Sequence, residues 1–262
     1  MFLAFFFGKS YAQTISETVV IQTNVGNMKV KLYNDVPRHT SEFLKRVNAG
    51  TFDGSLFSRV IKGFIIQGGS EDSKDARPGA RCGVGDKNSE ILPEIKVHYF
   101  PKKGALAAPR HPDDVNPEKK SDISQFFIVQ GKIYRPGELD TLELIKNVPI
   151  RKKAMQELYI PVKKEMEALR KENPQEYNKK ATRINEQIDS IVRTTPGHLI
   201  FTEEQRKAYT TTGGCPEIDG TYTLFGEVVE GLDIIDIIAC QPKDGFDRPK
   251  KDIRILSVSV IK

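Results

Sequence analysis

Apolar and polar positions alternate most cleanly at Met28, Val30 and Leu32, which are separated by Lys29 and Lys31. A period of two puts one set of side chains on each face of a strand. Residues 18–33 therefore predict two strands around a turn. The next stretch, "VPRHTSEFLKRVNAG", changes period: Phe43, Leu44 and Val47 form one helical face, and Gly50 ends it. Strand character returns over 55–69 and is followed by a Gly- and charge-rich loop through residue 90. "GALAAP" and "SQFFIVQG" read as two further buried strands. After residue 213 come a strand ("YTLFGEVVEG"), a helix ("LDIIDIIAC") and a strand ("DIRILSVSVIK"). Many short strands with turn residues between them, plus two helices, predict a mainly β domain closed into a barrel.

The pattern differs over about 132–212. Met155, Leu158, Tyr159, Val162, Met166 and Leu169 recur at helical spacing, with Pro161 expected to interrupt them. Beyond Pro174, Tyr177, Ala181, Ile184, Ile188 and Ile191 follow a 4-3-4-3 pattern. Two amphipathic helices joined at "ENPQ" predict an αα-hairpin. "TEEQ" at 202–205 reads as a capping box for a short third helix. This stretch holds 16 Lys/Arg against 12 Asp/Glu and so carries most of the net charge of +5. It reads as a solvated helical insertion or as a docking arm for client proteins.

Composition adds limits. With 262 residues, 38% hydrophobic, the chain is long enough for one sizeable core and an appendage. A charge of +5 favours solubility and gives no argument for nucleic acid. No apolar run reaches the length of a membrane span. Three cysteines (Cys82, Cys215, Cys240) form no framework, although one disulfide would fit an oxidising compartment; four scattered histidines predict no metal site. No cofactor motif is present. At the start, "MFLAFFFGKSYAQ" carries a short apolar run, then Ser10 and Ala12 at signal-peptidase spacing. Residues 1–12 are read as a signal peptide whose true start lies upstream, and the mature protein as periplasmic or otherwise extracytoplasmic.

One apolar stretch carries polar residues that need a reason. In "FSRVIKGFIIQGGS" (57–70), Arg59 and Gln67 stand among Phe57, Val60, Ile61, Phe64, Ile65 and Ile66. Alternation puts Phe57, Arg59 and Ile61 on one side, and Ile65 with Gln67 on one side. Burying a guanidinium or an amide is costly unless it is paired. Either both groups reach solvent at a sheet edge, or they belong to a site.

The pattern F-x-R-V-I-x-G-F-x-x-Q-G-G resembles the signature of cyclophilin-type peptidyl-prolyl cis-trans isomerases. "SQFFI" at 124–128 and "DGTYTLFGEVVEG" at 219–231 resemble two further family blocks, in the same order. The resemblance covers 17–130 and 213–262, with 131–212 as an insertion, as in a bacterial member of the family. It implies an eight-stranded antiparallel barrel with two capping helices, and isomerisation of Xaa–Pro bonds in folding, exported polypeptides without metal or cofactor. It implies that Arg59 is the catalytic donor, with Gln67 holding substrate groups and orienting Arg59. It gives Phe64, Ile65, Phe127 and Ile218 as pocket walls, Tyr222 as their rim and Gln125 as a contact to the substrate backbone.

The sequence departs from the family at Pro109 and Arg110, where relatives carry an Ala-Asn pair whose backbone binds substrate. The Pro109 carbonyl and the Arg110 cation are expected to recognise the residue before proline differently, with a taste for acidic neighbours. Glu217 and Tyr222 stand where many eukaryotic relatives have Trp and His, so weak cyclosporin binding is expected. A cyclophilin-fold chaperone with little isomerase activity is the alternative function.

Overall fold

A computed structural model describes residues 16–261. The proposed signal peptide lies outside the described residues. The chain divides into two compact units, one formed up to Lys132 and from Thr212 onward, the other by Ile133–Thr211.

The first unit contains β1 (Thr18–Thr23), β2 (Gly26–Leu32), helix α1 (Pro37–Asn48), β3 (Arg59–Ile61), β4 (Ile65–Gly68), β5 (Glu90–Ile91), β6 (Ala105–Ala107), β7 (Ser121–Asp122) and β8 (Phe126–Val129). Beyond the insertion it continues with β9 (Leu224–Glu230), α6 (Leu232–Ala239) and β10 (Ile255–Val260). Eight strands form one antiparallel sheet in the order β10-β1-β2-β9-β6-β8-β4-β3, and β5 pairs with β7 apart from it. The sheet curls until its two edges approach: a bridge joins Leu56 to Arg254, and Phe57 N–H donates to the Ile253 carbonyl at 2.9 Å.

The Phe-rich composition is concentrated in the main core. Phe43 of α1 meets Phe52, Phe126 and Phe225 at ring distances of 5.2–5.9 Å, and Phe52 stands edge-on to Phe126 at 5.4 Å. Such rings dominate core energetics because each buries a large apolar area. Strand β8 is buried on both faces. Phe126 and Ile128 point into the main core, while Phe127 and Val129 join a second cluster with Ile65, Ala107, Leu224 and Cys215. That explains why "FFIV" reads as a continuous apolar run. Phe57 corrects the simple alternation: it joins the main core with Val60, whereas Arg59 faces outward, because the ladder of β3 begins only at Arg59.

Among the described residues no helix is long and apolar enough to cross a membrane, and no three His, Cys, Asp or Glu side chains cluster as metal ligands. The three cysteines are free thiols.

The second unit holds α2 (Pro136–Leu158), α3 (Lys163–Glu172), α4 (Pro174–Thr194) and α5 (Glu203–Thr211). The expected hairpin is α3–α4, and Pro161 opens a 3₁₀ turn, Ile160–Val162, between α2 and α3. Helix α2 is longer than the periodicity indicates and contains Pro149, whose ring removes one backbone donor. Ala154, Met166, Ile184 and Ile188 form its core, and Met155 is exposed. The capping box forms: Thr202 N–H donates to Gln205 Oε1 at 2.9 Å, and Gln205 N–H to Thr202 Oγ1 at 3.2 Å. The whole excursion leaves and rejoins the first unit at Lys132 and Gly214, which exchange backbone bonds of 3.0 and 3.1 Å. Gly131 makes this neck fit: its φ is +64°, and a Cβ there would stand 2.1 Å from the Gly214 carbonyl oxygen.

Candidate active site

The strand register builds the site. Arg59 pairs with Gln67 across β3 and β4, Gln67 with Phe127 across β4 and β8, and Phe127 with Ala107 across β8 and β6. Directly opposite residues share a face, so guanidinium, amide and aromatic ring stand in one row on the face turned away from the main core. The neighbouring row, Ile61, Ile65 and Val129, is apolar.

The apolar end of the row is a layered patch. Ile65 and Phe127 are buried, and Phe64, Ile218 and Tyr222 pack half-buried against them. Phe127 and Tyr222 meet edge-to-face at 5.2 Å and 88°. Ile218 is delivered by a one-turn 3₁₀ helix, Pro216–Ile218. Burial, with Glu217 beside it, pushes the Cys215 thiol beneath this patch up to about 12, so it packs as a neutral group and is no nucleophile. Burial also pushes the Asp219 carboxyl up to about 6.

The polar end is a relay. The Gln67 amide donates to Gln125 Oε1 at 3.0 Å, and the Gln125 amide donates to Asp122 Oδ2 at 2.9 Å. Asp122 Oδ1 takes the Ser124 N–H and hydroxyl at 2.9 and 2.5 Å. Gly85 closes over this relay in the left-handed region, where a Cβ would lie 2.0 Å from Asp122 Oδ2. Asp122 thus fixes which way both glutamine amides point, and the sequence reading had missed it.

Arg59 differs from expectation in two ways. Its side chain is 45% exposed, because β3 is the edge strand of the sheet. Among the described residues no hydrogen bond joins it to Gln67. Its Nε lies 3.7 Å from Asp247 Oδ2 instead, while the Asp247 carbonyl accepts the Val60 N–H at 2.8 Å. Asp247 sits at φ +63° and is held through Lys243 at 2.5 Å. Its neighbour Arg248 is fully buried and donates to the carbonyls of Ala76, Arg77 and Ala80 and to Asp252. That clamp sets the 70–85 loop beside the row.

A family model described as cyclophilin type peptidyl-prolyl cis-trans isomerase matches residues 18–148 and 152–260. The chain belongs to the cyclophilin-type peptidyl-prolyl cis-trans isomerases. It is similar to a protein of Staphylococcus haemolyticus named a putative peptidyl-prolyl cis-trans isomerase, 26% identical over 243 residues, spanning 92% of this chain and 90% of that one. A putative bifunctional phosphatase/peptidyl-prolyl cis-trans isomerase of Streptococcus pyogenes is 25% identical over 245 residues, which is 38% of its length. The crystal structure of a cyclophilin-type isomerase of Cryptosporidium parvum shares the fold, with a TM-score of 0.54 at 17% identity over 94% of this chain and 98% of that one.

The cyclophilin departure at 109–110 is now explicit. Pro109 is buried, and its carbonyl accepts the Asp122 N–H at 2.8 Å, so it braces the glutamine relay. The Arg110 side chain is 8% exposed and is already satisfied. It donates to the Thr221 and His111 carbonyls at 2.7 and 2.9 Å, pairs with Asp113 at 2.6 Å, and lies 5.1 Å over the Tyr222 ring. Arg110 therefore holds the Tyr222 loop from behind, and its compensated charge does not supply the expected attraction for acidic neighbours.

Proposed function

We propose that this cyclophilin accelerates Xaa–Pro isomerisation by binding the twisted amide better than the planar one. The barrier of about 18–20 kcal/mol is loss of amide resonance, and the uncatalysed step takes roughly tens to hundreds of seconds. No bond is made or broken, so the task is differential binding of the rotated state. The proline ring packs on Phe64, Phe127, Ile218 and Tyr222 over Ile65. Gln67 and Gln125 hold the substrate backbone. Rotation localises a lone pair on the proline nitrogen, and the Arg59 guanidinium donates to it. The observation that carries this reading is the register Arg59–Gln67–Phe127, which sets donor, backbone anchor and apolar seat in one row.

Arg59→Ala tests it in a prolyl-peptide exchange assay. We expect kcat/KM to fall roughly 10²–10³-fold, with little recovery in Arg59→Lys, whose point charge lacks the planar fork. Unchanged turnover in Arg59→Ala would overturn the role. We further propose exported clients, from Ser10 and Ala12 ahead of the mature start, and weak cyclosporin binding, from Glu217 and Tyr222; nanomolar affinity by titration would refute the latter. A second reading, client holding by the insertion, draws on the exposed Leu144, Ile145, Val148 and Met155 of α2. It predicts that suppression of client aggregation survives Arg59→Ala and disappears when 133–211 is removed.

A further inference from the structure

Beside the row, on the side away from Phe127, lies a cavity of about 330 Å³ lined by Ser58, Arg59, Gln67, Arg81, Cys82, Gly83, Val84, His111 and Phe246. It shares Arg59 and Gln67 with the active site and none of the apolar proline residues. Two guanidiniums and an imidazole line it, and no carboxylate does. The acids around it are already engaged: Asp244 accepts the N–H groups of Phe246 and Arg248, and Asp252 accepts the Arg248 guanidinium. Asp247 faces Arg59 and Lys243, and Asp72 accepts the N–H groups of Gly83 and Val84 at 3.0–3.2 Å and the Ser70 hydroxyl at 2.6 Å. Arg81 has no ion pair among the described residues. Its guanidinium lies 5.8 Å from the centre of the exposed Phe246 ring.

The chain on both sides of Arg81 is fixed. Arg248 grips the Ala80 carbonyl at 2.6 Å just before it, and Asp72 grips Gly83 just after it. Arg81 is thus a cation presented from a clamped loop toward a cavity whose walls combine the apolar Val84, Cys82 and Phe246 with the uncharged polar Ser58 and Gln67 and with His111. The apolar part of that wall packs methylenes, and the cation at its rim favours a carboxylate at their end.

We infer that this cavity receives an acidic side chain, Asp or Glu, close to the proline of the substrate, with Arg81 setting the preference. The inference rests on the isomerase reading and names the substrate class of that same site. The expected acidic taste is thereby moved from Arg110, whose charge is compensated, to Arg81.

The test uses the full chain and exchange NMR on Ala-Pro peptides in which Glu, Gln or Lys is scanned through the residues on each side of Ala-Pro. At one position Glu is expected to exceed Gln in kcat/KM by roughly fivefold, as for a part-exposed ion pair, and Lys to fall below both. The ratio should shrink as ionic strength rises. Arg81→Ala should bring Glu level with Gln, Arg81→Lys should keep the preference, and Arg81→Glu should invert it. Each comparison is a ratio within one variant, so a general loss of activity does not affect it. Equal turnover of Glu and Gln peptides at every position, or a preference that survives Arg81→Ala, overturns the inference alone. Absence of turnover on every peptide overturns the isomerase reading as well.

Discussion

Arg59 and Arg248 stand on segments joined by the Val60–Asp247 backbone bond, yet they are held in opposite ways. The Arg59 backbone is fixed by the ladder of β3 and β4, while its guanidinium is nearly half exposed with one carboxylate at 3.7 Å. The Arg248 guanidinium is 2% exposed and reaches three carbonyls and a carboxylate from a loop with little regular structure of its own. In the first region the backbone fixes the side chain's starting point and leaves its head free for a ligand. In the second a side chain supplies the order that the backbone lacks. At their junction a rigid frame surrounds a guanidinium that is nearly half exposed and has a single carboxylate beside it.

Three experiments can break this contrast. The largest effect is expected from Arg248→Ala, which empties the place of a fully buried guanidinium and leaves three loop carbonyls and Asp252 without their donor. Stability measured by scanning calorimetry should fall by about 4 kcal/mol. A loss below about 1 kcal/mol would mean that the 70–85 loop holds itself and that the two regions do not differ. Asp247 comes next. Asp247→Gly keeps the left-handed backbone at φ +63° and removes the carboxylate. We expect it to lower kcat roughly fivefold with KM little changed, in line with the worth of a part-exposed ion pair, and Asp247→Asn to do the same. If both variants match wild type, the free head of Arg59 needs no orienting partner and the contrast sharpens.

The smallest effect concerns Asp219 in the apolar patch. Its folded pKa of about 6 lies above the usual aspartate value, so the folded state prefers the protonated form. Its ionisation therefore costs stability as pH rises from about 4 through 6. Relative to Asp219→Asn, wild type should lose about 2 kcal/mol between pH 4.5 and 7.5. Parallel melting curves for the two proteins across that range would show that the carboxyl reaches water.

The same contrast explains what was legible in the sequence. Arg59, Gln67 and Phe127 could be read together because strand parity and ordered motifs carry them, and the register sets them in one row. The dual burial of β8 was visible as an uninterrupted "FFIV". Arg248, Asp247 and Asp122 were not read. Their partners lie far along the chain or are backbone carbonyls, which have no sequence identity. "DGFDRP" did hold a signal, a cluster of opposite charges directly before an apolar strand, but charge alone does not separate a solvated loop from a clamp. Arg110 was assigned a free charge because Asp113 and the Thr221 carbonyl could not be seen as its partners. Phe57 was assigned to the wrong face because alternation holds only where the ladder exists.

The neck at Lys132 and Gly214 has a kinetic consequence. Strands β8 (ending at Val129) and β9 (starting at Leu224) flank β6, yet the whole insertion and its flanks lie between them in the chain. Closing a disordered segment of that length costs about 4 kcal/mol in chain entropy. A helical unit rich in local contacts forms fast, and once formed it holds its own two ends in register. The insertion then acts as a splint, bringing the end of β8 and the start of β9 to either side of β6 without the full cost of closing a loose loop.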